Sequence, residues 1–171
     1  ISDIPSISEL NAIAGTTSGV VTATLAATSL SNLGALSTAS TDVITITVND
    51  DNNAILDANH VQQLHNKTNS VITITNAVHI VGDTDEFISC FVNVGTLGEL
   101  ILHVDENGVE AEIQSTPRVV AATASFEIED TPTVSEINSI VSKTQGVVTA
   151  TLAANSLSNL GALSTASTDA I

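Results

Sequence analysis

The chain has 171 residues and is strongly acidic, because three Lys or Arg residues against 19 Asp or Glu residues give a formal net charge of −16. So few basic side chains argue against a nucleic-acid partner, whose phosphates need Lys and Arg, and against binding to anionic membrane surfaces. The single cysteine excludes an internal disulfide framework and a cysteine-based zinc site, and no apolar run reaches the roughly 20 residues that cross a bilayer.

Three units of one kind follow each other from the N-terminus, and each predicts a short helix, a polar turn and a strand. Apolar residues at i and i+3 share a helix face, at Leu10/Ile13, Leu33/Leu36 and Val61/Leu64. An alternating run with β-branched residues begins seven residues after the second member of each pair and predicts a strand. The three runs are VVTATL at 20–25, VITITV at 43–48 and VITIT at 71–75.

The stretch after residue 76 is less regular. It predicts a helix over 83–92, strands over 99–106 and 124–130, and a weak helix over 108–116 that Pro117 cuts short. These elements bring the total to about five helix–strand coils. Capping-box spacing marks three helix starts, at Ser6/Glu9, Asp83/Glu86 and Thr133/Glu136.

The beginning of the chain recurs near its end. Residues 3–44 align without gaps on residues 130–171 with 31 identities in 42 positions, and the nonapeptide GVVTATLAA is identical at 19–27 and 146–154. The offset is 127 residues. We therefore interpret residues 1–129 as one 127-residue module of about five coils and residues 130–171 as the start of the next copy, an arrangement that favours an array.

Helix–strand units of this size cannot bury their apolar faces alone, whereas stacked units share one continuous core. The pattern therefore predicts an α/β repeat solenoid of helix–turn–strand coils, with a parallel sheet on one side and helices on the other. The alternative is an all-β sandwich array of the cadherin or immunoglobulin kind, which the acidic segment after the strand at 43–48 would fit. Against that alternative stand the repeated Leu-x-x-Leu segments and the regular strand spacing.

The units SELNAIAGTTSGVVTATL and LSNLGALSTASTDVITITV resemble the Thr/Ala-rich tandem repeats of very large bacterial cell-surface and secreted proteins, familiar from cyanobacteria. The resemblance covers residues 1–76 and 130–171 well and residues 77–129 poorly. It implies an extracellular, repetitive structural role, and it brings no catalytic residues with it.

Acidic side chains follow predicted strands in VNDDNNAILD at 48–57, VDENG at 104–108 and EIEDT at 127–131. Carboxylate and amide oxygens are the ligands that Ca²⁺ prefers, about six to eight at a time. The calcium candidates are Asp50, Asp51, Asp57 and Asp105. The alternative is a set of solvated acidic turns, since neither an EF-hand loop nor a Gly-Gly-x-Gly-x-Asp nonapeptide is present.

The chemistry-bearing side chains predict no catalytic site. His60 and His65 are five residues apart rather than the four that would bring two zinc ligands to one helix face, and we expect both to be solvated. Cys90 follows Phe87 and precedes Phe91, which is typical of a small buried hydrophobe. We expect no cofactor apart from calcium.

Threonines alternate with apolar residues along the predicted strands. Alternation sends Val21, Ala23 and Leu25 inward and the threonines outward: Thr22, Thr24, Thr45, Thr47, Thr73, Thr75, Thr149 and Thr151. Stacked threonines would form a flat ladder of the kind used by β-solenoid ice-binding proteins, although Ile101/His103 and Ser125/Glu127 would interrupt it. The simpler interpretation is that Thr suits a half-exposed strand.

These observations predict a non-catalytic structural segment of a long extracellular tandem-repeat protein, which forms a surface layer, sheath or filament at the cell surface. Its partners would be neighbouring repeats of the same chain or other copies, with no nucleic acid and no membrane insertion in this segment. The alternatives are a calcium-rigidified adhesin stalk and, as a minor alternative, an ice-binding threonine ladder.

Overall fold

The computed structural model describes the backbone of residues 1–92, 99–105, 108–114 and 119–171, with side chains for 1–92 and 119–171. Six α-helices lie in these residues: α1 (Ile7–Ala14), α2 (Leu30–Leu33), α3 (Ala58–Gln63), α4 (Thr84–Phe87), α5 (Val134–Val141) and α6 (Leu157–Leu160). A 3-10 turn, Leu64–Lys67, continues α3, and a π-helical turn, Ile88–Val92, continues α4.

The predicted capping boxes are confirmed. The Ser6 hydroxyl accepts a hydrogen bond from Glu9 N at the start of α1, and the Glu9 carboxylate accepts one from Ser6 N in return. Thr133 and Glu136 form the same reciprocal pair at the start of α5. Each box satisfies backbone N–H groups that have no partner within the helix. The two boxes therefore begin α1 and α5 at equivalent positions of the two copies.

Ten strands lie in the described residues: β1 (Thr22–Thr24), β2 (Val43–Val48), β3 (Ile55–Asp57), β4 (Ile72–Ile74), β5 (His79–Gly82), β6 (Glu99–Asp105), β7 (Gly108–Gln114), β8 (Val119–Val120), β9 (Ser125–Ile128) and β10 (Val148–Thr149). They form a first sheet in the order β1-β2-β4-β8 and a second sheet in the order β10-β9-β5-β3, and both sheets are parallel throughout. Strands β6 and β7 form a separate antiparallel pair.

The predicted α/β class is confirmed, and the helices and parallel pairing do not fit the all-β alternative. The structure differs from the sequence prediction in having two parallel sheets where one was expected. After each of β2, β4 and β8 the chain turns and enters the second sheet as β3, β5 and β9. The predicted helix over 108–116 is wrong, because Gly108–Gln114 is a strand whose Val, Ala and Ile alternate with polar residues.

The expected inward alternation of the strands is confirmed. Val21, Ala23 and Leu25 are buried in the first unit, and Ile44, Ile46 and Val48 are buried along β2. These residues belong to one hydrophobic core that reaches from Leu10 to Ala150. The core therefore runs through both the first copy and the start of the second.

The three phenylalanines of the chain form one cluster within this core. The Phe126 ring on β9 lies 4.9 Å, centroid to centroid, from both Phe87 and Phe91, and the latter two are 5.9 Å apart. All three are buried. Since α5 packs against the Ile88–Val92 turn that carries Phe91, the aromatic cluster lies where the second copy begins.

Polar side chains join each unit to the next, and they do so identically in the two copies. The amide of Asn11 on α1 donates to Ala35 O at 2.8 Å and accepts from Ser37 N at 2.8 Å. Asn138, its equivalent on α5, donates to Ala162 O at 2.9 Å and accepts from Ser164 N at 2.8 Å. Each Asn thus satisfies backbone groups of the following turn.

Asp42 ties the turn before β2 to the residue before β1. It is buried, and its carboxylate accepts hydrogen bonds from Val21 N at 2.8 Å and from Ala39 N at 2.9 Å. Asp169 accepts from Val148 N at 2.9 Å and from Ala166 N at 2.8 Å in the second copy, but it is partly exposed. The same two hydrogen bonds are therefore made by a buried carboxylate in the first copy and by a partly exposed one in the second.

We expect Asp42→Ala to lower the free energy of unfolding by about 2–3 kcal/mol, since it leaves the buried N–H group of Val21 without an acceptor. Asp169→Ala is the matched control and should cost less, because Asp169 is partly exposed and water can take the place of its carboxylate. Urea denaturation of both variants measures the difference. Equal losses would show that burial of Asp42 does not set its contribution.

Candidate functional site

Two of the calcium candidates accept hydrogen bonds from the protein itself. Asp50 accepts from Leu30 N at 2.8 Å, and Asp57 accepts from Asn59 N at 2.8 Å at the start of α3. Asp51 is exposed, and the side chain of Asp105 lies outside the described residues. Among the side chains that the structure describes, no group of three or more His, Cys, Asp or Glu is placed to hold a metal ion.

The amide oxygens of the same acidic segment are also used within the fold. The Asn49 side-chain oxygen accepts from the Asn76 amide at 3.0 Å, and that of Asn52 accepts from Ala77 N at 3.1 Å. Asn53 adopts a positive φ of 64°, which Asn tolerates better than most residues. The segment therefore forms the corner between β2 and β3 and is tied to the next corner, between β4 and β5.

A groove of about 480 Å³ lies between α2 and the β3–α3 segment. Four side chains with ionisable groups line it: Asp50, Asp57, His60 and Lys67. The two carboxylates accept backbone N–H groups, and the Lys67 ammonium donates to the Leu36 carbonyl oxygen. Asp50 and Lys67 thus join neighbouring units, whereas Asp57 caps the start of its own helix α3.

The histidines lie in separate places. His60 Nδ1 is 3.8 Å from the Asp57 carboxylate at the exposed start of α3, so its predicted exposure is confirmed. His79 on β5 places Nε2 2.7 Å from a carboxylate oxygen of Glu127 on the neighbouring strand β9. Both groups of this second pair are partly exposed. A pair in contact with water contributes about 1 kcal/mol or less to stability, so we assign it a minor cross-strand role.

Cys90 is buried, as the sequence predicts. Its Sγ lies 3.7 Å from Ala58 O. Burial, with a smaller contribution from the negative charge of Glu86, raises the pKa of the Cys90 thiol well above its usual range. Because the thiolate is the nucleophile, this environment suppresses the reactivity of the sulfur.

We expect Cys90 to resist a thiol reagent such as 5,5′-dithiobis(2-nitrobenzoate) at pH 8 in the native protein and to react stoichiometrically in denaturant. The raised pKa leaves less thiolate at that pH than a free cysteine has, and burial blocks access. As Cys90 is the only cysteine of the chain, the absorbance change reports one site. Rapid labelling of the native chain would contradict the burial of this side chain.

The predicted threonine rows are exposed or partly exposed, but they do not form a continuous ladder. Thr24 pairs with Thr45, and Thr47 pairs with Thr73. Other neighbours break the rows, since Thr22 lies beside Val43, Thr73 beside Val120, and Thr149 beside Glu127 and Ala170. If the strands paired with their sequence patterns aligned, Thr22 would lie beside Thr45. The observed register is shifted by two residues, which keeps the threonines on the outer face but places them beside other residues of the neighbouring strand.

The duplicated nonapeptide occupies two different environments. In the second copy, a Cβ on Gly146 would lie 2.6 Å from the Ala124 carbonyl carbon and 2.8 Å from Ser125 N, so β9 leaves room only for glycine. In the first copy, a Cβ on Gly19 would meet only Thr17 Oγ1, at 3.4 Å. The two glycines begin identical nonapeptides, yet only Gly19 has room for a side chain.

Helix faces differ between the copies in the same way. Ile140 on α5 is 0% exposed, whereas its equivalent Ile13 on α1 is 41% exposed. Conversely, Leu30 on α2 is 8% exposed and its equivalent Leu157 on α6 is 86% exposed. Each copy is thus covered on the side where the chain supplies a neighbouring unit and open on the other.

The covered and open faces of the two copies are not predicted from the sequence, although one sequence pattern marks where neighbouring units meet. The pattern Thr-x-Gly/Ser-Val precedes three strands, at Thr17, Thr68 and Thr144. The Thr68 hydroxyl contacts Ile44 of the preceding unit, with 2.8 Å to Ile44 N, and the Thr144 hydroxyl donates to Ala124 O. The pattern therefore marks the points where one unit bonds to the one before it.

No helix in the described part of the chain is long and apolar enough to span a membrane. Comparisons with protein-family models, with curated proteins and with solved structures find no match for this chain.

Proposed function

We propose that the chain is a non-catalytic structural segment of a long extracellular tandem-repeat protein, which forms a surface layer, sheath or filament at the cell surface. One observation carries this proposal. The contacts of Asn11 and Asp42, which join neighbouring units of the first copy, recur at Asn138 and Asp169 in the second. A unit that makes the same contacts each time it recurs can be added repeatedly without a new interface.

The order of the strands supports a repeat solenoid of helix–turn–strand coils as the form of this segment. The first sheet takes its strands in chain order, β1, β2, β4 and β8, and the second takes β3, β5, β9 and β10. Each pass of the chain therefore adds a strand beside the strand of an earlier pass. Parallel addition of this kind has no inherent end point, which suits a long array.

The net charge supports a role in which many identical chains lie side by side outside the cell. A net charge of −16 makes neighbouring arrays repel each other and keeps them soluble, while mobile cations can gather between them. Self-association along the array would then depend on the ends of the units rather than on their charged sides. The calcium-rigidified stalk and the ice-binding ladder remain predictions of the sequence that no contact described above favours.

Immunogold electron microscopy with an antibody against the chain tests the proposed location and role. We expect intact source cells to be labelled as densely as permeabilised cells, with gold particles along layers or filaments. Labelling that appears only after permeabilisation would contradict the proposal. The thermal midpoint of the purified chain in EDTA separates the calcium alternative, since a drop of many degrees would favour the stalk and an unchanged midpoint the plain structural segment.

A further inference from the structure

The second copy shows how its leading edge is covered. Strand β9 runs parallel to β10, with Phe126 beside Val148, and Phe126 N donates to Val147 O at 2.9 Å. Gln145 N donates to Ala122 O at 2.8 Å, and the Thr144 hydroxyl donates to Ala124 O. One short segment before the second copy thus bonds three groups of that copy, on residues 144, 145 and 147.

The first copy presents the equivalent groups without that cover. Thr17, Ser18 and Val20 stand at the positions of Thr144, Gln145 and Val147. All three are exposed, Val20 to 63%. Ile1, at the position of Ile128, donates its terminal amine to Thr22 O at 2.8 Å, so a chain that precedes it enters along the outer edge of β1.

An apolar helix face lies in the same element of both copies, and it is covered in the second copy but exposed in the first. Ile140 on α5 is fully buried near the Ile88–Val92 turn, against which α5 packs. Ile13 on α1 carries the same side chain at the equivalent position and is 41% exposed. The edge of β1 and the exposed side of α1 are therefore equivalent to a surface that, in the second copy, pairs with β9 and packs against this turn.

We propose that β1 and α1 form a docking face for another copy of this module, joined ahead of it in tandem, which presents its β9 and its Ile88–Val92 turn. The proposal rests on the proposed function and names the contact by which modules of the array are joined. Within the 171-residue chain Gly19 has room for a side chain. Docked against a preceding β9 it would have none, as Gly146 has none.

The test compares the present chain with a two-module chain in which residues 1–127 are duplicated ahead of Ile1. This fusion places Glu127 before Ile1, as Glu127 precedes Ile128 in the present sequence. Amide hydrogen exchange at Ser18 reads the junction, because its equivalent Gln145 N is bonded to Ala122 O. Segmental isotope labelling distinguishes the inner Ser18 from the outer one.

We expect the inner Ser18 amide to exchange at least tenfold more slowly than the outer one. Gly19→Ala at the inner position should abolish that protection and lower the thermal midpoint by roughly 5 °C. The same substitution in the 171-residue chain is the matched control. It should lower neither the protection of the Ser18 amide nor the thermal midpoint. Equal exchange at both Ser18 residues, with a silent inner Gly19→Ala, would overturn the proposal. Modules linked as independent beads could still label at the cell surface, so this failure is distinct from a failure of the proposed function.

Discussion

Gly146→Ala should lower the free energy of unfolding of the 171-residue chain by about 2–3 kcal/mol, as overpacking of a well-packed site does. The added Cβ would overlap the Ala124 carbonyl and approach Ser125 N to 2.8 Å. These atoms belong to the backbone, so the neighbouring strand β9 must shift to make room. Urea denaturation followed by circular dichroism measures the loss.

Gly19→Ala is the matched control, because the glycine and the eight residues that follow it are identical in the two copies. Its Cβ would meet only the Thr17 hydroxyl, at 3.4 Å. An alanine that fits the native backbone stabilises a protein by up to about 1 kcal/mol, since it restricts the unfolded chain. We therefore expect the two substitutions to differ in sign. A loss of stability of similar size in both would contradict the covered and open environments of the two copies.

Phe126→Ala should cost about 3–5 kcal/mol, the usual range for removal of a buried phenylalanine. The ring is fully buried and touches the other two phenylalanines. Its removal leaves a cavity at the point where the second copy stacks on β9. Equilibrium unfolding in urea measures the effect. A total stability of about 5–15 kcal/mol is typical of a domain, so we expect about a fifth of it or more to be lost.

Two variants keep this result interpretable. Phe126→Leu retains most of the apolar volume and should cost about 1.5 kcal/mol or less. Val120→Ala removes methyl groups from a half-exposed residue of β8 and should change stability by less than about 1 kcal/mol. A loss of under 1 kcal/mol for Phe126→Ala would show that the aromatic cluster does not hold the junction together.

Much of the local structure could be predicted from the sequence. The run VITITV predicts β2, and the strand covers the same six residues, because its β-branched alternation suits a strand with one buried face. The capping boxes likewise locate the starts of α1 and α5. These features depend on neighbouring residues, which a single sequence displays in full.

The second sheet could not be predicted in the same way. Strands β3 and β5 have three and four residues, too few for a period to emerge. They are held by pairing with each other, and β5 also pairs with β9. The helix predicted over 108–116 is wrong for a related reason, since the alternation of Gly108–Gln114 indicates a strand at a place where the regular spacing of the coils predicts a helix.

The docking face was beyond sequence reasoning because identical residues have different surroundings. Gly19 and Gly146 share the same nonapeptide, and only the position of β9 beside the second distinguishes them. The register of the threonines could not be predicted either, because the pairing of Thr22 with Val43 rather than Thr45 depends on the relative shift of two strands. Both features depend on contacts between residues more than 20 positions apart.

The central claim is that successive modules continue one stacked structure. Small-angle X-ray scattering on chains of one, two and three tandem modules tests it most directly. If each module docks on the one before it, the maximum dimension should rise by an equal increment per module while the cross-sectional radius stays constant. If the modules are independent beads, the maximum dimension should grow less than proportionally and no constant cross-section should appear. The first result is the one that we expect, and the second would contradict the stacking of modules.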